Sequence, residues 1–202
     1  MSIWAIIPVK PMKSAKSRLA GVLSPEEREE LSREFLSLAL EVLGKTPGIE
    51  RRLVVSRDMG ALAIARDHGA KTLMEDGAPL LNVGLTRATI LAQTYGAGAV
   101  LIMHADLPFL TVEEVTSLIE AGSYKAGVAI APDRHEEGTN ALLVRPPGLI
   151  QYAFGPGSYV EHVRRAEAAG VRVTVCRMPG LALDIDVPAD LELYRHKVIE
   201  RT

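Results

Sequence analysis

Short apolar runs alternate with helical patterns along almost the whole of this 202-residue chain, and nothing else in it constrains the fold so strongly. Ile3–Val9, Arg52–Ser56, Lys71–Met74, Ala99–His104 and Gly127–Ala131 are strand-like. Ala99–His104 (AVLIMH) is almost continuously apolar, as expected of a strand covered on both faces. Between the strands lie helices with readable starts. Ser24-Pro25-Glu26-Glu27 supplies a capping Ser, Pro at the first helical position and Glu at the third. Leu31, Phe35, Leu38, Ala39 and Val42 then recur at helical spacing as far as Gly44. Asp58–His68 and Asn82–Tyr95 follow as helices, and Thr111–Ala121 opens with a second capping box, Thr111 to Glu114. A polar loop, Asp133–Thr139, leads to a strand at Asn140–Val144. Beyond it come a Gly-Pro-Gly turn at 155–157, a helix near 159–169, a strand at 171–175 and a last helix from Pro188. Units of this length build a three-layer α/β domain on a mostly parallel sheet. Residues 132–158 form a small antiparallel excursion from it. No repeat, low-complexity tract or linker divides residues 1–202, so one domain is expected.

In open α/β sheets, ligands sit beyond the carboxyl ends of the strands. The first strand empties there into a loop with Lys10, Lys13, Lys16 and Arg18, and no acid occurs before Glu26. Clustered cations at that edge predict a polyanionic ligand; the plain alternative is a solvated basic loop. The net charge of −2 argues against general nucleic-acid binding. Ala105-Asp106-Leu107-Pro108 leaves the most apolar strand at the same edge. Asp106 lies five residues before the capping Thr111, so it is not that helix's cap. A hard-metal ligand fits better, because magnesium takes one or two carboxylates and leaves other positions to phosphates. In Asp184-Ile185-Asp186, strand alternation sends both carboxylates to one face. Asp184 is read as a second metal ligand and Asp186 as the cap of the helix at Pro188, with the reverse choice left open. Phe154-Gly155-Pro156-Gly157-Ser158 and Gly138-Thr139-Asn140 are anion-cradle candidates, although either sequence alone is more often a plain turn.

Other chemistries are excluded. There is no P-loop, no dinucleotide fingerprint and no nucleophile elbow. His68, His104, His135, His162 and His196 have no metal-ligand spacing, and His104 is read as packing. Cys176 is the single cysteine, which rules out an internal disulfide and fits a reducing compartment. No apolar run reaches the roughly 18 residues of a membrane span. The opening strand precedes positive charge, the reverse of a secretory signal, so a cytoplasmic location is expected.

Five segments in order (Pro8-x-Lys10 with Ala15-Lys16-Ser17-Arg18-Leu19, ADLP at 105–108, GTN at 138–140, FGPGS at 154–158 and LDIDVPADL at 183–191) resemble one enzyme group. It is the 2-phospho-L-lactate or phosphoenolpyruvate guanylyltransferases of coenzyme F-420 biosynthesis, and the likeness spans residues 3–195. The resemblance implies a nucleotidyltransferase-like (GT-A/Rossmann-like) fold. It also implies transfer of GMP from GTP to a three-carbon phospho-acid, with pyrophosphate leaving. Asp106 and Asp184 match the family's metal-binding aspartates, with magnesium as cofactor. Thr139, Gly155 and Ser158 match its phospho-acid positions. Pro8, Lys10, Lys16, Arg18 and Asn82 are assigned to GTP, and Lys10, Lys16, Arg18 and Asp106 to catalysis. His104 and the loop Arg134-His135-Glu136-Glu137 depart from the family pattern and bear on acceptor preference.

The chemistry agrees. A phosphate acceptor is already anionic near neutral pH, so positioning and charge neutralisation suffice without a catalytic His or Cys. Two rival readings are another nucleotidyltransferase, of sugar-phosphate or molybdopterin type, and a non-catalytic nucleotide-binding module. The expected partners are these small molecules, with no nucleic acid or membrane; a homodimer is left open.

Overall fold

The structure is a computed structural model that describes residues 2–76 and 80–200. The strands are β1 (Ile3–Val9), β2 (Ile49–Ser56), β3 (Lys71–Met74), β4 (Ala99–Met103), β5 (Gly127–Pro132), β6 (Thr139–Arg145) and β7 (Arg172–Val175). They form one sheet in the order β3-β2-β1-β4-β6-β5-β7. Only β6 runs against its neighbours β4 and β5; every other pairing is parallel. The antiparallel excursion is therefore one reversed strand. The loop before it is too short for a crossover, so β6 must return as a hairpin.

The helices are α1 (Pro25–Lys45), α2 (Met59–Asp67), α3 (Leu81–Thr94), α4 (Val112–Ala121), α5 (Ser158–Ala168), α6 (Pro179–Ala182) and α7 (Pro188–Glu200). Leu36, Leu40 and Leu43 of α1, Leu62 of α2 and Leu118 of α4 pack with Ala5, Ile7, Leu101 and Met103 on one sheet face. Leu85 and Ala88 of α3 and Ala166 of α5 cover Trp4, Ile6, Val100 and Ile102 on the other. With helices on both faces, β4, β5 and β6 are buried at every residue, which explains their near-continuous apolar sequences.

A third, smaller cluster bears on function. Leu19 from the basic loop, Leu183 and Ile185 from the aspartate segment, Phe35 and Phe109 pack together. Leu183 and Ile185 point inward, and this alternation leaves Asp184 and Asp186 facing the sheet edge.

Several local expectations change. β2 starts three residues earlier than its sequence pattern, because Ile49 and the charged Arg51 pair with Ile3 and Trp4 of β1, the register shifting at Glu50 between them. The basic loop contains two short 3-10 turns, Met12–Ser14 and Ser17–Leu19. The capping box of α1 forms completely. That of α4 forms only by half: Thr111 accepts from the Glu114 N–H, but Glu114 turns away and accepts from the Gly180 N–H at the start of α6. The expected Asp186 cap is likewise corrected. Its carboxylate is drawn to Arg18, and Asp190 in the first turn of α7 accepts from the N–H groups of Asp186 and Val187 instead.

Candidate active site

The strand order reverses between β1 and β4, and the crevice at their carboxyl ends is the usual ligand site of such a sheet. Every predicted motif meets there. β1 delivers the basic loop and β4 delivers Asp106. β6, being reversed, brings its first residues Thr139 and Asn140 to the same edge, where the Asn140 carbonyl accepts from the His104 N–H at 3.0 Å.

Lys16 crosses the crevice. Its ammonium donates to the Ile185 carbonyl at 2.8 Å, lies 3.4 Å from Asp106 Oδ2 and sits 5.3 Å from the centre of the Phe35 ring. The side chain is only 6% exposed, unlike an ordinary solvated lysine. Its backbone is left-handed, at φ 52° and ψ 38°, a conformation that costs a residue with a Cβ about 1–3 kcal/mol. Surrounding bonds hold this turn in place: Met12 N–H donates to Asp58 Oδ2 at 2.8 Å, and Arg28 donates to the Ala15 carbonyl at 3.2 Å. Arg18 pairs with Asp186 at 2.6 Å in the open. Lys10 is exposed and makes no hydrogen bond or ion pair among the described residues. Pro8 sits at the end of β1, paired with Val55.

The two predicted metal ligands face each other in unequal environments. Burial is the largest influence and tends to raise the Asp106 carboxyl, but the Lys16 ammonium, His104 and the backbone together outweigh it and hold the group below its ordinary range. Asp184 has no such cation. Burial first and the nearby Asp106 charge second push it up to about 6, although Asn140 donates to its Oδ1 at 3.2 Å. Asp106 Oδ1 is buried and has no hydrogen-bond partner, an unusual state for a carboxylate oxygen. An orphaned oxygen beside a second, repelled carboxylate is a donor set that a hard divalent cation would satisfy. Among the described residues no group of three or more His, Cys, Asp or Glu gathers. That suits a cation held by two carboxylates plus substrate phosphates and does not suit an all-protein cage.

Opposite lies the phospho-acid candidate. Gly155 and Gly157 take φ of +139° and +71°, where a side chain would be strained. This turn starts α5 and places Ser158, 2% exposed, with Oγ 3.3 Å from Thr139 Oγ1. Asn82, assigned to the nucleotide, has both amide atoms on this loop. Its Nδ2 donates to the Phe154 carbonyl at 3.0 Å and its Oδ1 accepts from the Phe154 N–H at 2.8 Å. His104 packs its ring 5.5 Å from that of Phe154. The departing loop 134–137 is pinned by Asp133, whose carboxylate accepts from the N–H groups of His135, Glu137 and Gly138.

Sequence reasoning counted Asn140 only as part of an anion-cradle candidate, yet its amide holds the aspartate segment in place. It donates to the Leu181 carbonyl at 3.0 Å as well as to Asp184. Only its position beside Thr139 hinted at this.

The pattern of the family described as guanylyl transferase CofC like matches residues 3–197. The chain belongs to that family. It is 42% identical to a phosphoenolpyruvate guanylyltransferase of Rubrobacter xylanophilus over 95% of this chain and 92% of that protein. It is 41% identical to a protein of the same name from Sphaerobacter thermophilus, with the same two coverages. A nucleotidyl transferase from Methanothermobacter thermautotroptrophicus shares the fold with a TM-score of 0.73 at 17% identity, each chain covered over 99%. This member of the CofC-like family is thus a nucleotidyltransferase with the mostly parallel three-layer sheet expected of it. Among the described residues no helix is long and apolar enough to cross a membrane.

Proposed function

We propose that the chain transfers GMP from GTP to phosphoenolpyruvate. An acceptor phosphate oxygen attacks the α-phosphorus of GTP, the bond to the β-phosphate oxygen breaks, and pyrophosphate leaves. The observation that carries this reading is the orphaned Asp106 oxygen at the topological switch point, on a carboxylate that contacts the Lys16 ammonium and acts on Asp184 through its charge. The acceptor is taken from the two relatives, each a phosphoenolpyruvate guanylyltransferase by name.

The residues divide the work by charge. Lys10, free of partners among the described residues, is available to the GTP phosphates. Arg18 can exchange an exposed carboxylate for a phosphate at little cost, since exposed ion pairs contribute about 0–1 kcal/mol. Lys16 holds the crevice at fixed width and places positive charge beside Asp106. Thr139, Gly155 and Ser158 orient the acid, and Asn82 holds their loop. Asp106 and Asp184 would hold magnesium, which supplies neutralisation of phosphate charge. The acceptor phosphate needs no base, so no histidine has to accept a proton. A cytoplasmic location suits both substrates.

The direct test is pyrophosphate release with GTP and phosphoenolpyruvate, with 2-phospho-L-lactate as alternative acceptor and ATP and CTP as controls. Release should require GTP and a three-carbon phospho-acid together; turnover with sugar phosphates alone would overturn the reading.

Asp184 adds a pH prediction. Its folded value of about 6 exceeds the ordinary 3.8, so without a cation this group favours the folded state fully below its unfolded value. That contribution is lost as pH rises through about 6. Magnesium needs the ionised carboxylate and should reverse the penalty. Thermal melts should show a clear magnesium stabilisation at about pH 7.5 and little at about pH 5. Equal stabilisation at both would remove Asp184 from the cation site.

A further inference from the structure

His162 is fully buried on α5, one helical turn beyond Ser158 and on the same face. Both ring nitrogens are engaged. Nε2 lies 2.9 Å from the Ala153 backbone N–H, and Nδ1 lies 3.0 Å from Thr139 Oγ1. A backbone N–H can only donate, so Nε2 must accept and cannot carry a proton. The imidazolium and the Nε2–H tautomer would each set two donors against one another in a buried site. That leaves the neutral ring with its proton on Nδ1, and Nδ1–H therefore donates to Thr139.

This direction propagates. Thr139 Oγ1 receives the imidazole proton, and a 3.3 Å contact joins it to Ser158 Oγ. Two hydroxyls have two protons, and the bond between them consumes one. The other cannot point back at His162, because that nitrogen is already a donor. Ser158 Oγ donates across the contact, so the Thr139 O–H is the one left to donate elsewhere, directed away from the imidazole.

We propose that His162 is a positioning residue. Locked by the Ala153 N–H as the Nδ1–H tautomer, it leaves the Thr139 hydroxyl as a hydrogen-bond donor, which favours an anionic oxygen of the phospho-acid at that position. This rests on the reading of Thr139 and Ser158 as the phospho-acid site. His162 touches neither substrate nor the reacting atoms. Burial, aided by the Arg165 charge and opposed by Glu161, pulls its imidazole down to about 4, which keeps the ring neutral in ordinary buffers.

Two measurements test the proposal. The first is a long-range 1H–15N correlation spectrum of the histidine rings in the full chain, with His162 assigned by its loss in His162→Gln. The ring should be neutral and protonated on Nδ1 across neutral pH; an Nε2–H tautomer or an imidazolium would overturn the proposal without any mutant having to fold. The second is a kinetic cycle of Thr139→Val, His162→Phe and the double variant. Each single change should raise the phosphoenolpyruvate KM about ten- to a hundredfold, the loss expected for one hydrogen bond to a charged group. kcat and the GTP KM should change far less. The double variant should be no worse in KM than Thr139→Val alone, because His162 acts through Thr139. Additive effects, or equal losses on both substrates, would reduce His162 to a structural residue. A Thr139→Val enzyme with an unchanged phosphoenolpyruvate KM would overturn the phospho-acid assignment and the preference for an anionic oxygen built on it, while the spectrum would still decide the tautomer.

Discussion

Asp106→Asn should leave a folded protein that turns over about a thousandfold more slowly, comparable to removing a key electrostatic stabiliser from an active site. The substitution keeps the volume and one oxygen, so the apolar residues beneath it are undisturbed. Two electrostatic effects on the fold oppose each other. The contact with Lys16 weakens, and the repulsion that raises Asp184 disappears. The melting temperature should therefore move by only a few degrees, in a range where about 1 kcal/mol corresponds to roughly 2–4 °C. The magnesium-dependent rise in melting temperature should vanish with activity. Pyrophosphate release and paired melts with and without magnesium check both halves. A variant that retains wild-type turnover would sink the proposed role of Asp106 at the cation site.

Lys16→Met should have the next largest effect. Methionine preserves the apolar stem against Phe35 and removes only the ammonium, so the change separates charge from packing. kcat/KM for GTP should fall about a hundred- to a thousandfold, with a much smaller change for the phospho-acid. Lys16 is also the tie between the basic loop and the aspartate segment. Its loss leaves the Ile185 carbonyl without that donor and Asp106 without its cation. The Asp106 carboxyl should then titrate higher than in the parent. Equal losses in kcat/KM for both substrates would show that the residue supports the crevice generally and does not serve the triphosphate.

The two residues also mark where sequence reasoning succeeds and where it stops. The place of Asp106 at the ligand edge was legible because local facts fix it: a fully apolar strand, an acid just beyond it, and a nearby helix that already has Thr111 as its cap. The sheet was legible for a similar reason, since burial on both faces writes itself into β4 as an uninterrupted apolar run. Lys16 was legible as a cation but not as a buried one. Its inward direction depends on a left-handed backbone and on the Ile185 carbonyl, 169 residues away. Asp186 was given a capping role because the spacing allows it, and Arg18 from the other end of the chain decides otherwise. His162 gave no signal at all, because one of its two partners is a backbone N–H, which no side-chain pattern records.

The reversal of β6 has a consequence for how such an enzyme can be remodelled. In a purely parallel sheet each strand visits the ligand edge once, and the next segment must travel back across a face of the protein. Here the chain leaves β5 at Pro132 and re-enters β6 at Thr139, so residues 133–138 form a short hairpin beside the pocket. Both ends are anchored in a buried ladder, and Asp133 gathers the interior N–H groups of the turn. Such a segment can be exchanged as a cassette, with altered side chains at 135–137 and with Asp133 retained along with Arg134, which pairs with Asp190 of α7, without passing a change in length or shape into the sheet. Libraries that seek a new acceptor for this scaffold belong in that hairpin.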